Sequence, residues 1–310
     1  MELRQLRAVV AIADTGSVTK AAAILNIVQP ALSRQVRLLE DELGKALFRR
    51  TRYGMETTNE GRILVEYARE ALLSIEKAET EIRPAQGVIA GLVSVGFLPS
   101  VCDLIAGEFS RAVTQAYPNI RLRMTTGSAW QLQTLVADGN LDMAILFNSR
   151  PNVDVESTFL LEEPLFLVGL ERYGQHWQDP EPIKGLSSIP LILPSAEQSM
   201  RGVLEHACAV EHVTMRVKTE ADATQVTKAL LLAGEGCTVL PGISLADASF
   251  REKIIAVRLG QPPLKRQVAL CMSTGALRSG PSLVVKPILE DMVRRLVCDG
   301  RWPGAVLWAR

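Results

Sequence analysis

A cluster of cations and hydrogen-bond donors lies early in the chain, between residues 29 and 52. Its members are Gln29, Ser33, Arg34 and Arg37, followed by Arg49, Arg50 and Arg52. Glutamine and arginine can form paired hydrogen bonds with base edges in the major groove of DNA, and serine and arginine also bind phosphate oxygens. These residue types predict a DNA-binding segment, provided that the surrounding elements present them on one surface.

Two short helices joined by a tight turn are predicted around the first part of this cluster. Ser17 follows a glycine and precedes an alanine-rich run, so it is a natural N-cap for the first helix. Pro30 suits the first turn of the second helix, because the N–H that proline lacks has no intrahelical partner there. Ala21 and Ala22 are small enough for the helices to cross closely. The pattern is typical of a helix-turn-helix, whose second helix enters the major groove.

The second helix separates apolar from polar residues. Its inward stripe, at positions i, i+4, i+7 and i+11, consists of Leu32, Val36, Leu39 and Leu43. Ser33, Arg34 and Arg37 fall on the opposite face, and Gly44 supplies a C-terminal stop. Taken alone, the two helices fit an ordinary bundle with a solvated charged face equally well.

A basic hairpin is predicted directly after this helix, over residues 47–58, with Gly54 at its turn. A basic hairpin in this position is typical of the wing of a winged helix-turn-helix, which contacts phosphates or the minor groove. The order helix, helix, basic helix and basic hairpin favours DNA binding over the plain bundle. The predicted DNA contacts are Gln29, Pro30, Ser33, Arg34, Arg37, Arg49, Arg50 and Arg52.

Charge placement, rather than total charge, supports this interpretation. The 310 residues include 34 lysines and arginines and 34 acidic residues, so the net charge is zero. Residues 1–58 hold nine cations against six acidic residues, and six of those nine lie between Arg34 and Arg52. A local excess of cations is what a polyanionic partner requires.

Short motifs along the chain resemble those of one known family. Near the start they are Leu3 and Leu6, Gly16-Ser17, Ala21-Ala22, residues 29–33, Leu39-Glu40, Leu43-Gly44, residues 47–50, Thr58 and Gly61. Further on they are Tyr117-Pro118, residues 141–145, residues 234–236 and Leu240-Pro241. In these motifs the chain resembles the LysR-type transcriptional regulators over nearly its whole length. At Arg34 many relatives have glutamine, so their base preference is not carried over.

The resemblance implies an α+β multidomain fold with three parts. These are a winged helix-turn-helix, a long linker helix, and a two-lobed α/β sensor domain similar to periplasmic binding proteins. The expected ranges are 1–58 for DNA binding, 59–83 for the linker, 84–91 for a hinge, 92–300 for the sensor and 301–310 for a tail. Lobe 1 is expected over about 92–161 and 268–300, and lobe 2 over about 162–267.

The resemblance also implies partners. Double-stranded promoter DNA, RNA polymerase and a small organic, often anionic, effector are expected, and the chain is expected to form homodimers that assemble as homotetramers. Segments 93–97 and 165–169 resemble those of nitrogen-assimilation regulators, some of which act without an effector. No cofactor is implied.

Residues 59–83 predict a long helix that ends before Pro84. Apolar residues recur along it at alternating steps of four and three, as a coiled-coil seam requires. They are Leu64, Ala68, Ala71, Ile75, Ala78 and Ile82. Such a seam fits packing on its own chain, but the resemblance favours the pairing of two linker helices in a dimer.

Strands and helices alternate beyond residue 91, which predicts parallel or mixed sheets with helices on both faces. Ligands in such folds bind at the carboxyl ends of strands, where serines are placed to cap helices. Each serine alone fits a plain N-cap without a ligand, and Arg201 fits a solvated surface arginine. The predicted effector-binding residues are Ser100, Thr126, Gly127, Ser128, Ser195, Ser199 and Arg201.

Two classes of protein without a DNA role compete with this interpretation. An enzyme is disfavoured because His176, His206 and His212 fit no catalytic or metal-binding spacing, and no phosphate-loop motif occurs. No catalytic residue and no metal site are therefore predicted. A small-molecule-binding transport protein is disfavoured because the sequence begins with a charged helix rather than a signal peptide.

Composition points to a cytoplasmic protein without membrane association. No apolar run is long enough to span a bilayer. The five cysteines are scattered and form no C-x-x-C pair, which is typical of reduced cytosolic thiols.

Overall fold

A computed structural model describes residues 1–52, 54–82, 89–147, 152–196, 199–274 and 280–309 of the chain. The chain forms two compact units, Met1–Ala85 and Gln86–Arg310. Most of the predicted hinge over residues 84–91 lies outside the described residues. Within these ranges, no helix combines the length and apolarity that crossing a membrane would need.

The first unit is a winged helix-turn-helix followed by a long helix, as predicted. Its elements are α1 (Leu3–Thr15), α2 (Val18–Ile24), α3 (Gln29–Leu43), β1 (Phe48–Thr51), β2 (Gly54–Thr57) and α4 (Asn59–Ile82). The two strands pair antiparallel. Three of the four predicted stripe residues on α3 are buried, while Leu43, in the last turn, is 43% exposed.

Local signals fix the ends of these helices where the sequence predicts them. The Ser17 hydroxyl accepts a hydrogen bond from the N–H of Lys20 at 3.4 Å and so caps α2. Gly44 ends α3 in the left-handed conformation, with φ of 65°. At the start of α4, the Thr58 hydroxyl accepts from the N–H of Gly61 at 2.9 Å.

The seam predicted along α4 is partly turned toward its own unit, because α4 packs against α1. Ala68 is only 1% exposed, and Leu64 packs against the core of the same unit. Ala68 is therefore not available for the predicted dimer contact, whereas Leu64 is half-buried and keeps part of its surface exposed. The exposed apolar face of α4 is displaced to Ile63 and Tyr67, which are 58% and 67% exposed. A heptad pattern specifies one buried face but not the surface that covers it.

Further along α4 the described residues of the predicted seam are at least partly exposed to solvent. Ala71 and Ala78 are exposed and Ile75 is half-buried. The side chain of Ile82 lies outside the described residues.

The second unit begins with three parallel strands, flanked by helices, that belong to a larger mixed sheet. Its elements are β3 (Gly91–Phe97), α5 (Pro99–Ala116), β4 (Ile120–Thr126), α6 (Ala129–Ala137) and β5 (Met143–Phe147). β3 lies between β4 and β5 and runs parallel to both. This sheet and its helices enclose the larger apolar core of the unit.

The remaining elements form a second lobe and return to the first. They are β6 (Val155–Gly169), α7 (Glu171–Gly174), β7 (Leu191–Leu193), α8 (Ser199–Val210), β8 (Val217–Glu220), α9 (Thr224–Leu232), β9 (Thr238–Pro241), α10 (Ala248–Arg251), β10 (Ile255–Arg258), β11 (Lys265–Ser273), α11 (Gly280–Cys298) and β12 (Val306–Leu307). Short 3₁₀ turns lie at Ile183–Ser187 and Gly242–Leu245.

β6 and β11 join the two lobes. The first part of β6 pairs antiparallel with β11, which also pairs with β5, and its second part pairs with β9 and β10. The parallel pair β7 and β8 lies on the β9 side of the second lobe. This arrangement is the predicted two-lobed α/β fold, and β6 and β11 are the strands that cross between its lobes.

Two elements of the structure are longer than their sequence patterns indicate. The sequence predicts a strand from residue 165, but β6 begins at Val155, because pairing with β11 extends a segment whose polar residues and Pro164 are poor strand formers. The last helix is predicted from Pro287, but α11 begins at Gly280 and contains that proline. The helix continues through Pro287 because Leu283, whose carbonyl loses its partner, lies on the exposed face.

Residues 301–309 pack on the rest of the second unit. Trp302 is 1% exposed, β12 pairs with β6, and the rings of Trp308 and Phe159 lie 5.2 Å apart. The sequence by itself left the role of these residues open, with packing on a sensor lobe as one alternative.

Candidate nucleic-acid interface and ligand cavity

The exposed face of α3 carries most of the predicted DNA contacts on that helix. Arg34 and Arg37 are exposed, and within the described chain neither forms an ion pair. Gln29 and Pro30, in the first turn, are also exposed. Ser33 is half-buried and its hydroxyl accepts a hydrogen bond from the Gln29 side-chain amide at 3.3 Å. The buried apolar stripe holds this face outward, since each side chain on the face is fixed by the helical period.

The three wing arginines are all exposed but differ in their surroundings. Arg49 lies directly opposite Glu56 in the hairpin and donates to its carboxylate from Nη2 at 2.9 Å and from Nε at 3.1 Å. Arg50 lies opposite the uncharged Met55. Arg52 follows the strand, next to Tyr53, which lies outside the described residues. The charge of Arg49 is therefore partly compensated, whereas no carboxylate pairs with Arg50 among the residues that the structure describes.

Glu40 on α3 holds the wing in place, a role that sequence reasoning did not assign. Its carboxylate oxygen accepts hydrogen bonds from the N–H groups of Leu47 at 2.7 Å and Phe48 at 3.3 Å. The sequence offered one indication of this contact, because Glu40 is an acidic residue on a helix whose exposed face carries arginines.

The turn of the hairpin docks on the turn between α1 and α2. The N–H of Met55 donates to the carbonyl oxygen of Gly16 at 2.8 Å. A Cβ atom at Gly54 would lie 2.5 Å from the same oxygen, so only glycine fits there. α3 and the wing are thus held as one rigid surface that carries solvent-exposed cations.

A cavity of about 260 Å³ lies between the two lobes of the second unit. Four of the predicted effector-binding residues line it, namely Ser100, Thr126, Gly127 and Ser128. Ser128 caps α6, since its hydroxyl accepts from the N–H of Gln131 at 3.3 Å. Ser100 is in the first turn of α5 but does not cap it, because the helix starts at Pro99 with Leu98 as N-cap. The positive ends of two helices therefore meet the cavity.

Two predicted residues of the facing lobe, Ser195 and Arg201, bind other groups of their own lobe instead of lining this cavity. The backbone N–H and hydroxyl of Ser195 both donate to Asp222 at 2.9 Å. Arg201 donates to the carbonyl oxygen of Pro194 and pairs with Glu205 and Glu220. Neither Ser195 nor Arg201 lines the cavity. Ser199 begins α8, and its side chain lies outside the described residues.

Four buried polar residues that the sequence did not single out line the cavity, one of which is Thr227 with an exposure of 5%. The other three have neighbours or unpaired groups that bear on ligand binding. They are Thr238, Ser244 and Arg266, with exposures of 1%, 4% and 3%. Arg266 donates from Nε to Glu163 at 2.6 Å, and its guanidinium lies 4.5 Å from the centre of the Phe147 ring. The sequence gives only a weak indication that Arg266 is buried. It lies beside Lys265 at the start of an apolar strand, and charged residues in such positions usually flank the strand without entering the core.

Burial of three cysteine thiols disfavours their ionisation. Burial raises the pKa of the Cys237 thiol to about 12, so this thiol is protonated at neutral pH and is a poor nucleophile. Burial likewise raises the pKa of Cys102 and of Cys208. Among the described residues, no three His, Cys, Asp or Glu side chains are placed to hold a metal ion.

Two family models match the chain, one on each unit. A model described as bacterial regulatory helix-turn-helix protein, lysR family, matches residues 3–62. A model described as LysR substrate binding domain matches residues 86–285.

Similar proteins and structures cover nearly the full chain. The nitrogen assimilation regulatory protein nac of Escherichia coli (strain K12) is 30% identical over 302 residues, which is 97% of this chain and 98% of that protein. The protein of the same name from Klebsiella aerogenes is equally similar. The crystal structure of CbnR, a LysR family transcriptional regulator, has a TM-score of 0.73 at 20% identity and covers 95% of this chain and 99% of that one.

Proposed function

Because this chain belongs to the LysR family of bacterial transcriptional regulators, we propose that α3 and the wing form its contact surface on promoter DNA. The chain is a DNA-binding transcriptional regulator with an effector-binding domain. In this proposal Gln29, Ser33, Arg34 and Arg37 face base edges, with Pro30 at the helix start. Arg49, Arg50 and Arg52 face the phosphates.

The observation that carries this proposal is the exposed, uncompensated arginine pair on α3. Arg34 and Arg37 project from a helix whose opposite face is buried, and within the described chain no carboxylate pairs with them. Arginines held in this way are available to guanine edges and phosphates.

A gel-shift assay tests the proposal directly. The purified full chain should retard a promoter fragment and leave a scrambled fragment of equal length unbound at moderate salt. The relatives' names make promoters of nitrogen-assimilation genes the first to try. Equal, weak binding to both fragments would contradict sequence-specific recognition.

For assembly, we propose a homodimer that uses the exposed face of α4 and pairs further as a homotetramer. Ile63 and Tyr67 start this face, and Ala71 and Ala78 continue it at helical spacing. The substitution Ile63→Glu with Tyr67→Glu should produce monomers in analytical ultracentrifugation. A double variant that stays dimeric would contradict the proposal that α4 forms the dimer contact.

For regulation, we propose that a small organic effector binds the cavity through Ser100, Thr126, Gly127 and Ser128. A ligand that binds two lobe arrangements unequally shifts the population toward one of them. A small molecule released from the purified chain and identified by mass spectrometry should bind Ser100→Ala and Ser128→Ala more weakly in calorimetry. Unchanged affinity would place its site elsewhere.

The remaining parts of the proposal concern the cellular setting. We infer a cytoplasmic regulator without catalytic activity that acts on RNA polymerase at the promoter. A fractionation in which the chain remains with the membranes would contradict this setting.

A further inference from the structure

Three hydrogen-bonding groups in the cavity have no partner among the described residues. They are Nη2 of Arg266 and the hydroxyls of Thr238 and Ser244. All three side chains are more than nine-tenths buried and line the cavity between the lobes. Because a buried donor without an acceptor is costly, such groups need a partner from outside the chain.

Arg266 is held firmly in this position. Its Nε donates to Oε1 of Glu163 at 2.6 Å, and its guanidinium stacks over Phe147. Glu163 itself is 0% exposed. The guanidinium therefore has one edge fixed by the protein, while its Nη2 has no partner among the described residues and the side chain lines the cavity.

The second oxygen of Glu163 is also occupied. Oε2 accepts hydrogen bonds from the indole N–H of Trp302 at 2.8 Å and from the backbone N–H of Ile243 at 3.0 Å. Trp302 belongs to the C-terminal tail and Ile243 to the turn after β9. Together with Arg266 of β11, three separate segments therefore fix this carboxylate.

Building on the effector site proposed above, we propose that Arg266 recognises a carboxylate group of the effector, and that Glu163 and Trp302 are positioning residues for it. The Arg266 Nη2 group donates to the carboxylate, and the hydroxyls of Thr238 and Ser244 complete its hydrogen bonds. Charge-assisted hydrogen bonds of this kind are about twice as strong as neutral ones.

The surroundings favour one carboxylate attached to an apolar body. The first turns of α5 and α6 bring the positive ends of two helices to the cavity. Leu98, Met200 and Val239 form part of an apolar wall. The one carboxylate among the described lining residues, Asp222, already accepts two hydrogen bonds from Ser195. A second negative charge on the ligand would face this carboxylate.

A series of paired probes tests the proposal on the full chain. Acetate, butyrate and hexanoate are each compared with their primary amides, at matched ionic strength, by calorimetry and by the thermal shift of unfolding. Wild-type protein should bind at least one carboxylate about tenfold more tightly than its amide. Equal affinity for every carboxylate and its amide would overturn the proposal.

The variants are chosen to separate recognition from folding. Arg266→Gln alone leaves Glu163 buried without its cation, so the double variant Arg266→Gln with Glu163→Gln keeps a neutral pair in the same place. This double variant should lose the preference for carboxylate over amide and keep its affinity for the amide. A preserved preference would show that Arg266 does not recognise the ligand.

Trp302→Phe tests the positioning role, with Trp308→Phe as the matched control. Loss of the indole N–H should lower the preference for carboxylate by about threefold. Trp308→Phe should leave the preference unchanged. A purely structural effect of Trp302 would instead weaken carboxylate and amide in parallel and would overturn its positioning role.

Promoter binding by the same variants distinguishes failure of the Arg266 proposal from failure of the assignment as a DNA-binding regulator. Specific promoter binding by the double variant in a gel shift, together with a lost carboxylate preference, supports both conclusions. Specific promoter binding with the preference intact overturns only the role of Arg266.

Discussion

Arg34 and Arg37 in the first unit are exposed and unpaired within the described chain, whereas Arg266 in the second unit is 3% exposed and bound to Glu163. The first arrangement suits a polyanion that approaches from solvent, because water screens the charges until the partner displaces it. The second suits one small ligand that enters a shaped cavity. In the two proposals above, arginine therefore serves two kinds of recognition, and the burial of its side chain determines which kind of partner it suits.

The largest expected effect comes from breaking the buried pair. Glu163→Ala leaves the Arg266 guanidinium buried without its anion and should lower the free energy of unfolding by about 3–5 kcal/mol. Urea unfolding of the full chain measures this change. Glu56→Ala, which breaks the exposed pair with Arg49, is the matched control and should cost less than about 1 kcal/mol. Similar losses in the two variants would remove the contrast between the regions.

A smaller effect is expected from Arg34. Arg34→Ala should weaken binding to the specific promoter site by about 1–3 kcal/mol and relax the preference at one base position. Gel-shift titration of a promoter fragment and single-base variants measures both. If the base preference stays intact, Arg34 contacts only phosphate or lies outside the interface.

The wing offers a matched pair of neighbouring arginines. Arg50→Ala should lower the slope of log affinity against log salt by about 1, because one phosphate contact is lost. Arg49→Ala should lower it less, since Glu56 already compensates this charge at 2.9 Å. Binding titrations over a series of salt concentrations compare the two. A larger change for Arg49 than for Arg50 would contradict the assignment.

The smallest expected effect concerns an exposed pair on the tail. The hydrogen bond from Arg301 lowers the pKa of Glu108, and the two groups lie 2.7 Å apart. Since the folded pKa is below the unfolded value of about 4.3, the pair stabilises the fold at neutral pH and loses its effect as pH falls through the folded pKa. Its contribution should stay below about 1 kcal/mol. Thermal unfolding of wild type and Glu108→Gln should differ slightly at pH 7 and converge in acid.

Predictability differs between the two units for a physical reason. In the first unit the Ser17 cap, the Gly44 stop and the buried stripe of α3 depend on neighbours within one helix, and all three were predicted from the sequence. In the second unit the predicted residues on the first lobe line the cavity, but Ser195 and Arg201 do not. Ser195 is bound by Asp222 and Arg201 partly by Glu220, and these partners lie about 20 or more residues away in sequence, so they cannot be inferred from helix ends. Only the pair of Arg201 with Glu205, one helical turn away, follows from local spacing.

The sequence by itself determined the order of elements, the family and the amphipathic faces of the helices, because these follow from local spacing and from motifs. Only the tertiary structure decided which surfaces those faces meet. Ala68 is buried within its own unit, and Glu163 is bound by Arg266 of β11 and Trp302 of the tail. Such contacts join residues far apart in the chain, and a buried charge is stable only where the fold brings its partners together.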